Sequence, residues 1–220
     1  MPEKLRMRFS KTGRAIWLSH LDLMRTMQRA FLRAEYPLKY SEGFNPHAQI
    51  SILLPLSVGV SSVCELMDFQ LREDVDLPAL PERLTAVMPE GIVIQEAYPM
   101  ENKAKFLKWL RVTARLEYDD RPLDKMAAAL TEFYARDSIV ITRKTKRGEG
   151  QSDIVPAIQS LQVSAGEGQV DLEAVISAQE PTLNPDHLIA ALRQLQPELA
   201  PDFAAFTRQE VYFENGEVFR

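Results

Sequence analysis

The sequence contains a single cysteine, Cys64, among its 220 residues. One thiol excludes an intramolecular disulfide and agrees with a reducing compartment. It also excludes an iron–sulfur cluster held by this chain alone, because such clusters normally require several cysteine thiolates. Only three histidines are present, and no third His, Cys or acidic ligand stands at a recognisable metal-binding spacing. We therefore expect no metal and no other cofactor.

Long apolar runs and familiar catalytic motifs are also missing. No stretch approaches the roughly 18–20 apolar residues that a membrane helix requires, and the N-terminal MPEKLRMRFS lacks the apolar core of a secretory signal. The sequence has no Walker loop, no dinucleotide-binding glycine fingerprint and no nucleophile elbow. These absences predict a cytoplasmic protein that does not contact a membrane.

Positive charge is concentrated near the N-terminus of an acidic chain. The net charge is −5, yet positions 1–50 carry nine Lys and Arg against four Asp and Glu. Such an asymmetry favours a partner that bears phosphates.

The first hundred residues alternate between strand and helix patterns. Lys4 to Phe9 alternate basic with apolar residues, which predicts a strand with a basic outer face. Ser19 is a good N-cap, and Asp22 follows it as in a capping box, so a helix is predicted from about His20 to Ala34. Its core face is predicted to carry Leu21, Met24, Met27, Phe31 and Ala34. Further strands are predicted at 49–54, 63–71 and 92–98, with a short helix over 80–88.

The second half repeats this scheme. Strands are predicted at 110–118, 139–142, 170–176 and 206–213, and helices after Pro122 and after Asn184-Pro185. Residues 143–150 read as a flexible basic loop, 154–161 as a connecting segment ambiguous between strand and helix, and 99–108 as a linker or the start of the second unit. The sequence therefore predicts an α+β protein of two tandem ferredoxin-like (β-α-β-β-α-β) units. We place an N-terminal unit with a basic face at 1–100 and a C-terminal unit at 101–220.

The run FSKTGRAIWLSHLDLMRTMQRAFLRAEYPLKYSEGFNPHAQIS carries three motifs, S-K-T-G-R, S-H-L-D-L-M-R and Y-S-x-G-F-N-P-H. It resembles the opening signature of the radical-SAM-linked protein family, and the similarity extends through Asp153–Val163. This is a bacterial domain family of unknown function, found as a separate chain or behind a cobalamin-binding radical-SAM protein. Glu42 and Ala48 depart from the usual pattern of the family. The resemblance implies a radical-SAM protein as partner, which would carry the chemistry.

Tandem ferredoxin-like units also resemble the RNA-binding proteins of CRISPR repeat processing, some of which are metal-independent endoribonucleases. This likeness concerns the fold, and a fold does not determine a function.

Basic and polar residues of the turns and helix faces are the candidates for nucleic-acid binding. We select Lys11, Arg14, His20, Arg25, Arg29, Asn45, His47, Lys144, Lys146 and Arg147. Each has an ordinary structural alternative: the stripe of Arg25, Arg29 and Arg33 also fits a solvated helix face, and His20 also fits a structural contact. Trp17 and Phe44 can stack on bases, although a Trp between apolar neighbours is more often buried in the core.

The main hypothesis is a non-catalytic RNA-binding accessory protein that works with a radical-SAM enzyme, in RNA modification or in ribosome- or tRNA-related metabolism. In the first alternative, the basic face docks an acidic protein, so that the chain is an adaptor without RNA contact. In the second, the chain is a metal-independent endoribonuclease with His20 or His47 as general acid or base.

Overall fold

The computed structural model describes residues 4–145 and 148–220. The chain forms two compact units, each with its own helices and strands: unit 1 comprises Met1–Ala104 with Arg220, and unit 2 comprises Lys105–Phe219. The predicted α+β class is therefore confirmed. No helix among the described residues is long and apolar enough to cross a membrane.

Unit 1 has the predicted ferredoxin-like order of elements. It contains β1 (Leu5–Lys11), a 3-10 helix (Gly13–Trp17), α1 (His20–Arg33), β2 (Ile50–Ile52), β3 (Ser61–Phe69), α2 (Leu80–Thr85) and β4 (Ile92–Pro99). The strands lie in the order β4-β1-β3-β2, and each neighbouring pair is antiparallel. β1 therefore lies between the last and the third strand of its unit, as this fold requires.

Helix α1 begins where the sequence predicts. The Ser19 hydroxyl accepts a hydrogen bond from the Asp22 backbone N–H at 3.2 Å, which satisfies one of the free donors of the first turn. The side of α1 that faces the sheet buries Leu23, Met27, Ala30 and Phe31. The Phe31 ring packs against that of Phe69 on β3, with ring centroids 5.1 Å apart. This packing places α1 over the same face of the sheet as Met7 and Phe9.

Unit 2 builds a sheet of the same strand order with a hairpin inserted. Its elements are β5 (Trp109–Glu117), α3 (Leu123–Tyr134), β6 (Val140–Thr145), β7 (Gly148–Asp153), β8 (Ile158–Ala165), β9 (Val170–Ser177), α4 (Asp186–Leu195) and β10 (Phe203–Tyr212). The order β10-β5-β9-β8 is antiparallel throughout, whereas β6 and β7 pair with each other in a separate two-stranded sheet.

The inserted hairpin corrects two expectations. The strand predicted at 139–142 is not the second strand of the main sheet, and the described parts of the predicted loop 143–150 are paired strand. The second sheet strand is β8, which follows a short 3-10 helix over Val155–Ala157. β7 reads GEGQSD and has no apolar alternation, so its sequence carries no strand signal. The hairpin is fastened by Asp153, whose carboxylate accepts the Ile139 backbone N–H at 3.0 Å.

Candidate nucleic-acid interface

The second face of the unit 1 sheet, opposite the helices, carries a row of polar side chains. Met7 and Phe9 point toward the helices, so their neighbours on β1 point the other way. The strand register sets Arg6 opposite both Asp68 and Tyr98, and it sets Asp68 opposite Ser51. Directly opposite residues share a face of the sheet. The row Tyr98–Arg6–Asp68–Ser51 therefore crosses all four strands of unit 1.

A buried ion pair occupies the middle of this row. Arg6 is fully buried, and its Nε donates to Asp68 Oδ1 at 2.6 Å while its Nη2 donates to Asp68 Oδ2 at 3.1 Å. Nη2 also donates to the Asn102 carbonyl at 2.8 Å. This two-pronged geometry is a strong form of the Arg–carboxylate contact. Arg6 is thus an internal partner of Asp68, and the expectation of an exposed basic face on β1 is wrong at this residue.

Tyr98 at the end of the row contributes no charge at neutral pH. Burial raises the pKa of its phenol to about 12, against a smaller opposing effect of the Arg6 charge. Within the described residues, its hydroxyl is buried without a hydrogen-bond partner. From Tyr98 to Asp68 the polar row therefore offers no unpaired charge, because Tyr98 is neutral and Arg6 and Asp68 form an ion pair.

Beyond Asp68, a cleft of about 520 Å³ opens on the β2 edge of unit 1, within the size range of ligand sites. Six of its nine lining residues have polar side chains, although most of the wall surface is apolar; the lining consists of Lys4, His47, Ala48, Gln49, Ile50, Ser51, Asp68, Phe69 and Gln70. The negative charge of Asp68 is neutralised by its ion pair with Arg6. Lys4 is exposed and has no ion-pair partner among the described residues. The cleft therefore presents one free positive charge among neutral hydrogen-bonding groups.

The loop over residues 41–47 stands beside this cleft and is pinned at its base. A bridge joins Tyr40 to Ala48, and the Ser41 N–H donates to the His47 carbonyl at 2.9 Å. The His47 N–H in turn donates to the Ser41 hydroxyl at 3.1 Å. The same hydroxyl shares a hydrogen bond of 2.9 Å with His47 Nδ1. The imidazole orientation is therefore fixed by a neighbouring residue, and Nε2 is the ring atom left for a ligand.

The tip of this loop presents an aromatic ring to solvent. Phe44 is 111% exposed, as open as in an extended chain, and Asn45 and His47 are also exposed. An isolated Phe in such a position makes no contribution to the core. It supplies a flat π-face on which a planar group can stack, with an amide and an imidazole within the same loop.

Four other candidate residues lie at the surface of unit 1 around α1. Arg14 is exposed on the 3-10 helix, and His20, Arg25 and Arg29 are exposed on α1. Arg25 Nη1 lies 3.5 Å from Asp22 Oδ1, a contact between two exposed side chains. These four residues have the accessibility that the sequence-based interpretation requires.

Lys11, by contrast, is not accessible to solvent. The residue is 1% exposed, because the 3-10 helix that follows β1 folds back and the Ile16 carbonyl accepts a hydrogen bond from Nζ at 3.0 Å. Lys11 is therefore part of the interior of unit 1, and its assignment to a nucleic-acid surface is corrected.

The strand register separates the remaining candidates into two regions. Lys11 pairs with Ser62 and Ile92, at the end of β1 that leads into Arg14 and α1. The loop over 41–47 leads into Ile50, which pairs with Phe69, the partner of Leu5 at the other end of β1. Six residues of strand span about 20 Å. Asn45 and His47 therefore lie near one end of the sheet, and Arg14 and His20 near the other.

The candidates in unit 2 fall at the edge of the described residues. Lys144 belongs to β6, but its side chain is not described, and Lys146 and Arg147 lie outside the described residues. No group of three His, Cys, Asp or Glu within the described ranges is arranged to hold a metal ion.

Two apolar residues for which the sequence favoured a core position are exposed. Trp17 is 68% exposed, so the expectation of a core Trp is wrong, and Leu21, predicted on the core side of α1, is 65% exposed. Leu23 takes the core position instead, since the apolar residues of this turn fit two helix faces. The cleft residues Gln49 and Ser51 do carry a signal, because they alternate with Ile50 and Ile52 along β2.

Three solved structures are similar to the chain at low identity. A chain of a Cbf5-Nop10-Gar1 complex is 13% identical with a TM-score of 0.48, over 96% of this chain and 50% of that one. The small subunit of acetolactate synthase from Thermotoga maritima is 10% identical with a TM-score of 0.26, over 96% of each chain. Cse3 from Thermus thermophilus, bound to an RNA representing a pre-cleavage complex, is 14% identical with a TM-score of 0.22, over 93% of this chain and 98% of that one.

This chain thus spans half the length of the Cbf5-Nop10-Gar1 chain that it matches. No curated protein matches the sequence. One family model does match, over residues 4–185, and its family is described as an uncharacterized protein conserved in bacteria (DUF2344). Because this match covers most of the sequence, the chain belongs to that bacterial family.

Proposed function

We propose that the chain is an RNA-binding accessory protein that holds single-stranded RNA with the loop over 41–47 and the adjoining cleft. The observation that carries the proposal is Phe44, which is fully exposed at the tip of a loop pinned by Ser41 and His47. Single-stranded nucleic acid is bound by stacking its bases on exposed aromatic side chains, next to cationic groups that meet the phosphates.

The loop and the cleft together offer the groups that bind RNA. Six of the nine residues that line the cleft have polar side chains, and one of them, Lys4, is a cation with no ion-pair partner among the described residues. A base stacked on Phe44 has hydrogen-bonding edges, and the Asn45 amide and the His47 Nε2 are exposed hydrogen-bonding groups of the same loop. Because His47 is held by Ser41, little ordering entropy is lost when it binds.

The radical-SAM enzyme implied by the sequence resemblance belongs to the same proposal as the partner that performs chemistry on the bound RNA. Cys64, the only cysteine of the sequence, is buried on β3. One thiol cannot hold an iron–sulfur cluster of the radical-SAM type. The proposed division of labour therefore gives RNA binding to this chain and the reaction to the partner.

The proposed RNA site does not include every residue that the sequence suggested for nucleic-acid binding. Arg14 and His20 follow the end of β1 that lies about 20 Å from the end nearest the loop, and Arg25 and Arg29 lie on α1, whose core side packs on the opposite face of the sheet from the cleft. A second RNA contact on α1 requires a strand that wraps around the edge of unit 1. We therefore restrict the proposed RNA site to the loop and the cleft.

The test is the affinity of single-stranded RNA for a Phe44→Ala variant. Stacking of one base on an aromatic side chain contributes about 1–3 kcal/mol, so we expect binding to weaken by roughly 5- to 150-fold. Stability should not change, because Phe44 is exposed. Fluorescence anisotropy with a labelled random-sequence RNA, measured at several salt concentrations, gives both the affinity and its salt dependence.

Phe106→Ala is the matched control, since Phe106 is also exposed but lies in unit 2 with Lys105 Nζ 5.0 Å from its ring centroid. It should leave the affinity unchanged. Lys4→Ala should flatten the logarithmic salt dependence by about 0.7, the value for one phosphate contact on a single strand. His47→Ala should change which sequences are preferred more than it changes this slope. Equal affinities of the Phe44 and Phe106 variants contradict the proposal.

A metal-independent endoribonuclease is the second candidate, and the Ser41–His47 hydrogen bond favours it. A fixed imidazole with a free Nε2 is a suitable general acid or base toward a 2′-hydroxyl. The same RNA incubated in excess chelator separates the candidates. Shortened products that disappear in His47→Ala indicate cleavage, whereas intact RNA with retained binding supports the accessory role.

A further inference from the structure

The outward side of α1 carries two exposed leucines beside a row of arginines. Leu21, Gln28 and Leu32 are spaced by seven and four residues, so they align along the helix. Arg25, Arg29 and Arg33 follow at intervals of four and form the adjoining row. Leu21 is 65% and Leu32 79% exposed, so both side chains are available for contact with a partner. α1 thus has a second amphipathic side besides its buried one.

A small cleft lies at the C-terminal end of this outward side. It has a volume of about 190 Å³, and its lining includes Gln28 and Leu32, the rings of Phe31, Tyr36 and Tyr40, and Arg72. A cavity of about 150 Å³ holds a benzene molecule, so this cleft has room for one bulky side chain. The Tyr36 hydroxyl is buried and has no hydrogen-bond partner among the described residues. The cleft therefore has the size and aromatic lining of an anchor pocket.

We propose that the outward side of α1 binds an acidic, amphipathic segment of another protein, which places one bulky side chain in this cleft. The segment carries apolar residues over Leu21 and Leu32, and carboxylates toward Arg25 and Arg29. Leu21 and Leu32 are eleven residues apart, or about 16 Å along the helix. This distance matches three turns of a helix laid along α1, the usual mode of amphipathic helix recognition.

Charge and chemistry favour an acidic protein segment over RNA or a second copy of the chain as the ligand of this side of α1. RNA gains little from two exposed leucines, which have no π-face for stacking. A second copy of the chain related by a two-fold axis brings this side of α1 against itself and opposes arginine to arginine. Arg29 has no ion-pair partner among the described residues, and Arg25 has only the exposed Asp22 at 3.5 Å. Carboxylates of a partner segment supply the missing counter-charge.

The test is site-specific photocrosslinking in the bacterium that encodes the chain. The photoreactive residue p-benzoylphenylalanine is placed at Leu21 or at Leu32 of the full chain, and at Leu195 as the control. Leu195 is also an exposed leucine near the end of a helix, but it lies in unit 2. The crosslinked product is purified, digested, and sequenced by mass spectrometry.

We expect positions 21 and 32 to crosslink to one protein segment with net negative charge and apolar residues, and position 195 not to do so. A synthetic peptide of that segment should then bind the wild-type chain and lose at least tenfold affinity for the Arg25→Glu/Arg29→Glu variant. Crosslinks to RNA, to a second copy of the chain, or to a basic segment overturn the proposal. So does a yield at positions 21 and 32 no higher than at Leu195.

RNA binding provides an independent readout of the same variants. Because the proposed RNA site lies at the loop over 41–47, Leu32→Glu and Arg25→Glu/Arg29→Glu should leave the RNA affinity within about twofold of wild type, less than 0.5 kcal/mol. Phe44→Ala should in turn leave the peptide affinity unchanged. Failure of the RNA proposal therefore does not imply failure of this one, and a joint loss in the arginine variant refutes the separation of the two surfaces.

Discussion

Gly91 offers a sharp test of how the 3-10 helix that carries Arg14 and Trp17 is held. The Thr12 N–H donates to the Gly91 carbonyl at 2.8 Å, and Gly91 adopts φ +93°. A Cβ at Gly91 meets the Thr12 carbonyl oxygen well inside van der Waals contact and lies 3.0 Å from the Ala15 Cβ. Gly91→Ala therefore requires the backbone at position 91 to move away from the backbone at Thr12, because no side-chain rotation can relieve this clash.

The expected cost has two parts. A non-glycine residue in the left-handed region costs about 1–2 kcal/mol, and insertion of a methyl group into a close-packed position costs about 1–3 kcal/mol more. We expect Gly91→Ala to destabilise unit 1 by about 3 kcal/mol. Gly13→Ala separates the two parts, since Gly13 has φ +53° but nothing within 4 Å of an added Cβ. That control should cost about 1 kcal/mol.

Native-state hydrogen exchange measures both variants, because the amides of β1 and β4 report the free energy of opening of unit 1. The Thr12 amide should lose protection in Gly91→Ala and keep most of it in Gly13→Ala. RNA affinity should stay at the wild-type value in both, because the loop over 41–47 is at the other end of β1. Equal destabilisation by the two substitutions, or an unchanged Thr12 amide, refutes the steric argument.

Two further predictions concern charges that the structure pairs. Asp68→Asn leaves the buried Arg6 guanidinium without its carboxylate and should lower the free energy of unfolding in urea by about 3 kcal/mol. This value is at the lower end for a broken buried ion pair, because 22% of the Asp68 side chain is exposed. The double variant Arg6→Met/Asp68→Leu should lose less stability than Asp68→Asn. In unit 2, the hydrogen bond from the Ile139 N–H lowers the pKa of the Asp153 carboxyl below 3.8. The ionised Asp153 therefore stabilises unit 2 above about pH 4, and this stabilisation is lost as the pH falls through the lowered pKa. Asp153→Asn should therefore lower the melting temperature at neutral pH, and its difference from wild type should shrink in strong acid; a difference that is constant with pH contradicts this assignment.

The sequence predicted what depends on periodicity and capping. The Ser19 cap, the α1 boundaries and the alternation of β1 and β5 follow from local patterns, and they set the ferredoxin-like order of unit 1. The hairpin of β6 and β7 was missed because GEGQSD pairs through its backbone without an apolar face. The cleft was missed because its lining comes from β2, β3 and Lys4, which only the strand register brings together.

Charge counting was the least reliable guide, for a physical reason that bears on function. The excess of basic residues in positions 1–50 suggested one phosphate-binding surface, but two of these cations are buried inside unit 1. Arg6 pairs with Asp68, and Lys11 donates to the Ile16 carbonyl. A guanidinium or ammonium that is committed to an internal acceptor and shielded from solvent cannot release counterions from RNA.

Two sets of accessible cations have different neighbours. Lys4 lines the cleft next to the loop that carries the exposed Phe44 ring, whereas Arg25 and Arg29 lie beside exposed leucines. In the two proposals the same charge meets a different ligand at each place, since the adjoining group decides between stacking on a base and packing on an apolar side chain. An accessory protein that brings an RNA to an enzyme needs both kinds of surface, and it needs them apart so that each can be occupied while the other is filled.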